Sequence, residues 1–89
     1  MFRIWGKFFK DNHLLQDMVY ENSDPDLNRT RKVYAGLHEF CMAFDLQKPI
    51  WLEKNITEFK RSDKTRFYQD NFIEQIEFDY LEIHVIEED

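Results

Sequence analysis

Eighty-nine residues fit one domain and leave no room for a second, and a net charge of −6 with a pI near 5.0 argues against the basic footprint of a nucleic-acid-coating protein. A single cysteine rules out an internal disulfide, no C-x-x-C or Cys/His cluster resembles a zinc site, and no window approaches the roughly 18 apolar residues of a membrane span. Aromatic residues make up 17% of the chain, enough to build a dense small core despite 34% charged residues, so an ordered domain is expected, in a reducing cytoplasm.

The chain opens with Phe2 to Phe9, whose apolar residues alternate, followed by Lys10-Asp11-Asn12 and a second apolar run. Asp and Asn bond their own backbone and tolerate left-handed angles, so the stretch predicts a β-hairpin of Phe2–Phe9 with His13–Glu21. Asn22-Ser23-Asp24-Pro25-Asp26 then reads as a helix start, with Asp24 as cap and Pro25 at the first helical position. From 26 to 45 the chain predicts one long helix, because Val33, Leu37, Phe40, Cys41 and Phe44 form a stripe with a period of about 3.6 residues. Leu27, Thr30 and Tyr34 extend the stripe, while Arg31, Lys32, Glu39 and Asp45 fall on the other side. Gly36 in the helix interior costs up to about 1 kcal/mol relative to alanine, which suggests close approach to a strand.

Pro49-Ile50-Trp51-Leu52 is a short apolar run and predicts a strand near 50 with its proline at a sheet edge. Asn55-Ile56-Thr57-Glu58 has the spacing of a capping box and predicts a short helix, 55–62, after which residues 64–68 are expected to be extended. From 78 to 87 the period switches to two, predicting a long C-terminal strand that buries Leu81, Ile83 and Val85. The fold class expected is a single α+β domain, 1–89, with a small, mostly antiparallel sheet and the long helix packed on one face.

No motif with catalytic, nucleotide-binding or metal-binding spacing stands out. Cys41 and His38 lie at helical contact distance, but Cys41 belongs to the apolar stripe, where a free cysteine behaves as a small hydrophobe. His13, His38 and His84 share no ligand spacing. Glu82 and His84 share one side of the last strand and could pair, which would make a solvated ion pair of little energetic consequence. Arg29, Arg31 and Lys32, and separately Lys54, Lys60, Arg61, Lys64 and Arg66, make basic groups near Trp51, Phe59, Phe67 and Tyr68, a composition that suits single strands, but interspersed acids dilute it.

The more informative feature is charge segregation. Residues 70 to 89 carry eight acids and no Lys or Arg, while the chain before them carries ten acids and twelve bases. Glu74, Glu77, Asp79, Glu82, Glu87 and Glu88 are therefore the candidate partner-binding residues of an acidic C-terminal surface. The function expected is that of a non-enzymatic protein-interaction module, engaging a protein partner or a second copy of itself, with no catalytic residue, metal or cofactor. Two alternatives are a DNA-mimic inhibitor of a nucleic-acid enzyme, which requires carboxylates aligned on one face, and a small enzyme using Cys41 and His38 or a carboxylate site.

Lys48-Pro-Ile-Trp-Leu52, Glu58-Phe-Lys-Arg61, Thr65-Arg-Phe67, Phe78-Asp-Tyr-Leu-Glu-Ile83 and Val85-Ile-Glu-Glu-Asp89 resemble a family of small uncharacterised bacterial proteins. That family occurs in anaerobic Gram-positive bacteria, in part on conjugative or other mobile elements. The resemblance implies a bacterial cytosolic protein with an accessory role in element maintenance or defence avoidance, and it brings no catalytic residues.

Overall fold

The first two strands form the expected hairpin. In the computed structural model, which describes residues 1–88, β1 (Phe2–Lys10) pairs antiparallel with β2 (His13–Asn22) across a two-residue loop. Asp11 and Asn12 sit at φ 52° and 66°, the left-handed conformation that a tight hairpin turn requires of both residues. The amide of Asp11 donates to the Asp79 carboxylate at 2.8 Å, which ties the turn to the entry of the last strand.

Helix α1 (Arg29–Phe44) begins three residues later than the sequence suggests. Asn28 is the cap, its side chain accepting from the Arg31 amide at 2.9 Å, whereas the Asp24 carboxylate accepts from the Asp26 amide and closes a turn of its own. Asp45 ends the helix in the left-handed conformation at φ 57°. The stripe Val33, Leu37, Phe40, Cys41 and Phe44 is buried throughout, as expected. Lys32 departs from expectation: it is buried too, because its aliphatic stem lies over the end of the sheet and brings the ammonium 5.9 Å from the Phe2 ring centroid.

The strand expected near 50 does not form. Pro49 lacks a donor for a ladder, and the amide and carbonyl of Ile50 bond Asn71 instead, to its backbone oxygen at 2.6 Å and from its Nδ2 at 2.8 Å. The chain there is an irregular segment that drops Trp51 between the helices. Helix α2 (Glu53–Ser62) follows, starting two residues before Asn55. Asn55 is therefore inside the first turn, reaching back with its side-chain oxygen to the Leu52 amide at 3.1 Å.

The third strand of the sheet is β3 (Lys64–Phe67), the stretch expected to be extended, and the fourth and last is β4 (Tyr80–Glu87). All pairs are antiparallel in the order β2-β1-β4-β3, so β1 and β4 are central and β2 and β3 are edges. Between β3 and β4 lie one turn of 3-10 helix, Gln69–Asn71, and a segment with no regular structure. Leu81, Ile83 and Val85 face the helices and are buried.

Both helices cover the same face of the sheet. Phe2, Ile4, Gly6 and Phe8 of β1, Leu81, Ile83 and Val85 of β4 and Thr65 and Phe67 of β3 line that face and meet the α1 stripe and Phe59. The opposite face, with Arg3, Trp5, Lys7, Phe9, Tyr80, Glu82, His84 and Arg66, has no covering layer. No helix among the described residues is long and apolar enough to cross a membrane.

Candidate functional site

The six carboxylates of the acidic C-terminal surface go to different places. Glu82 lies on the uncovered sheet face, only 4% exposed, with Lys7 Nζ at 3.0 Å and Arg66 Nε at 2.8 Å. Burial alone would raise its pKa, but hydrogen bonds from Arg66 and Lys7 outweigh that and hold the carboxyl below its ordinary value. Its partners are these two bases rather than His84, since the cross-strand register sets Lys7 and Arg66 directly opposite it. Asp79 is spent on the hairpin turn. Glu87 meets Arg3 at 3.4 Å and the N-terminal ammonium at 3.8 Å, and Glu88 bonds Arg29. Asp79 stands beside Phe9 and Glu87 beside Arg3, at opposite ends of a strand segment that spans about 20 Å at roughly 3.4 Å per residue. Each of these groups is held by partners within the fold, and Asp89 lies outside the described residues.

Glu74 and Glu77 remain, and they have a setting that the sequence does not show. The irregular segment before β4 is held by the Gln69 side chain, which accepts from the Ile76 amide at 2.9 Å and donates to the Glu74 carbonyl at 2.9 Å. Gln47 accepts from the Glu74 amide at 3.2 Å. This brings Glu74 and Glu77 beside Asp45, at the C-terminal end of α1, around a recess of about 350 Å³. Phe8, Leu46, Phe72, Ile76 and Phe78 make its apolar wall, with Phe8 and Phe72 each packed edge-on to Phe78 at 5.5 and 5.7 Å between centroids. No Lys or Arg lines it. Leu15, pushed out by the bulge opposite Phe8 and Phe9, stands at its rim, and the neighbouring Ile73 is 84% exposed.

A second recess, of about 240 Å³, lies between α1 and α2 and has the opposite character. Val33, Tyr34, Trp51, Ile56 and Phe59 line it together with Thr30, Arg29 and Lys60, and no carboxylate among the described residues does. Trp51 stands edge-on to Tyr34, Phe59 and Phe67, with ring planes crossing at 81° to 89°. Its indole N–H is enclosed and has no acceptor among the described residues. Arg29 lies over Phe59 and is held by Asp63 at 2.8 Å and by Glu88, whereas Lys60 makes no ion pair among the described residues.

The remaining sequence candidates are dispersed over the fold. Cys41 is 3% exposed and burial pushes its thiol up to about 11 against a weaker opposing pull from Lys48, so it is protonated at neutral pH. His38 is exposed on α1. Among the described residues no group of three or more His, Cys, Asp or Glu side chains is arranged to hold a metal ion. Of the aromatics near the basic groups, Phe59 and Phe67 belong to the core, and Lys54 and Arg66 are paired with Asp70 and Glu82. No family model, curated protein or solved structure matches this chain.

The Glu82 arrangement has a testable pH dependence. A carboxyl whose pKa is lowered by folding contributes stability above its unfolded value, near 4.5, and loses it as pH falls through the folded value. Glu82→Gln should lose about 2 kcal/mol at pH 7 in urea unfolding, less than for a fully enclosed pair because Arg66 is half exposed to water. The gap between the two proteins should narrow as pH drops below 4.5. An equal gap at pH 7 and pH 3 would mean that the glutamine changes packing rather than charge pairing.

Proposed function

We propose that this chain is a non-enzymatic protein-interaction module, and that its partner presents a basic segment with an apolar anchor to the recess at the end of α1. The supporting observation is the union of an aromatic-walled hollow with three exposed carboxylates, Asp45, Glu74 and Glu77, and no cation among its lining residues. Apolar walls supply binding energy by excluding water, and a rim of one sign selects and steers a partner of the other. Leu15 and Ile73 continue the apolar surface past the recess, which suits an extended or helical segment better than a compact cation. The docking surface is thus narrower than the acidic C-terminal region as a whole, because Glu82, Glu87 and Glu88 already have basic partners within the fold. An accessory role in a bacterial mobile element, implied by the resemblance of sequence segments, fits a small adaptor of this kind.

The test is selection from a displayed library of random 12-residue peptides. Enriched peptides should combine Lys or Arg with Leu, Ile or Phe. Each should weaken at least about tenfold toward the double variant Glu74→Lys/Glu77→Lys, and its affinity should fall as salt is raised. Both positions are exposed, so the variant is expected to keep its fold. A pool with no basic bias, or one that binds the variant as tightly, would refute the reading.

A further inference from the structure

The groove between α1 and α2 has a chemistry unlike the rest of this acidic chain. Among the described residues its lining includes two cations and no carboxylate, and one of those cations, Lys60, has no ion-pair partner. Its inner wall is built of aromatic and branched side chains, Val33, Tyr34, Trp51, Ile56 and Phe59, and includes an indole whose N–H is unspent. Small-molecule sites are of this kind, apolar hollows with a few polar groups that fix orientation. A cavity of roughly 150 Å³ is enough for benzene, so about 240 Å³ takes one ring with a short acid side chain. A folded peptide segment is too large for it.

We propose that this groove binds a small aromatic carboxylate, with the ring seated between Val33, Trp51 and Ile56 and the carboxylate at the mouth beside Lys60. Ring faces and edges in the groove complement an aryl group, since Trp51 already meets Tyr34 and Phe59 edge to face. Lys60 supplies the charge-assisted hydrogen bond, because Arg29, the other cation at the rim, is committed to Asp63 and Glu88. The site lies on other side chains than the acidic recess and does not depend on the protein-docking proposal.

The experiment uses the full chain labelled with nitrogen-15 and three probes that share one ring, phenylacetate, 2-phenylethanol and 2-phenylethylamine. The two indole N–H resonances, from Trp5 and Trp51, are told apart with Trp5→Phe. Phenylacetate should shift the Trp51 signal saturably in the millimolar range and leave Trp5 in place, because Trp5 lies on the opposite sheet face with its N–H bonded to Asp17 at 2.8 Å. It should bind at least about tenfold more tightly than the neutral alcohol, with the amine weaker still, as expected for one charge-assisted hydrogen bond. Lys60→Glu should abolish that preference with the fold unchanged, and Lys54→Glu, elsewhere on α2, should not. Equal binding of the three probes, absence of a saturable Trp51 shift, or a Lys60→Glu protein that binds like the parent would overturn the proposal. So would saturation by the peptide acetyl-Asp-Phe-Glu-amide where phenylacetate fails.

Discussion

Gly6→Ala is expected to destabilise the protein by about 3 kcal/mol in urea unfolding, and Gly6→Val to leave it largely unfolded. The residue lies in β1 directly beneath α1, and a Cβ there would stand 2.4 to 2.6 Å from three atoms of the Phe40 ring. Phe40 is fully buried, so the ring cannot swing into solvent, and the helix or the strand would have to shift. Nothing in the backbone angle asks for glycine at this position, since no glycine has positive φ, so the requirement is one of space. For a domain whose whole stability is about 4–13 kcal/mol at 0.05–0.15 kcal/mol per residue, that loss is large. The diagnostic measurement is a double-mutant cycle: Phe40→Leu, which makes room, should be less damaging in the Gly6→Ala background than alone. Additive effects would show that the clash is not what Gly6 avoids. Gly36, whose Cβ would meet Ile4 Cγ2 at 2.7 Å and Tyr20 at 3.1 Å, should tolerate alanine better, because helix propensity returns up to about 1 kcal/mol.

A loss of about 3 kcal/mol or more is also expected for Asn55→Ala, and a similar loss for Asn71→Ala. Both residues are fully buried, and together they bond four segments of chain. Asn55 Nδ2 donates to the Thr65 hydroxyl and to the Arg66 carbonyl, each at 2.9 Å, while its oxygen accepts from the Leu52 amide and from Asn71 Nδ2. Asn71 Nδ2 also donates to the Ile50 carbonyl and its oxygen accepts from the Tyr68 amide at 3.0 Å. The Thr65 hydroxyl in turn donates to the Glu58 carboxylate at 2.7 Å. All four amide N–H groups and both amide oxygens have partners, so truncating either residue leaves several buried groups without partners. Native-state hydrogen exchange locates the effect: Asn71→Ala should speed exchange at the Tyr68 amide, and Asn55→Ala at the Leu52 amide, ahead of the central strands. Unchanged protection at those amides would mean that water replaces the lost groups at little cost.

This network explains which parts of the fold could be read from residues alone. The hairpin, the α1 stripe and the burial of Leu81, Ile83 and Val85 were legible because each rests on a local rule, a turn that needs left-handed residues or a period of 3.6 or 2. The strand expected near 50 was not legible, because its backbone groups are taken by Asn71, twenty-one residues away. Asn55 has the composition of a cap and instead serves as a buried junction, and Asn28, a less obvious cap, starts α1. At Ile50 and Asn55 a distant partner decided how a real local signal was used, whereas the start of α1 was settled between two local caps.

For the candidate sites the division is sharper. The amino-acid sequence by itself determined the two-layer α+β character, the aromatic core and the excess of carboxylates after residue 70, all of which follow from composition and short-range periodicity. Tertiary structure alone decided that Glu82 would be clamped by Lys7 and Arg66, that Glu74 and Glu77 would join Asp45 over an apolar hollow, and that Trp51 and Lys60 would share a groove. The physical reason is that charge is a property of one residue, whereas its neutralisation, exposure and the concavity beside it depend on which distant strands and helices are brought into contact.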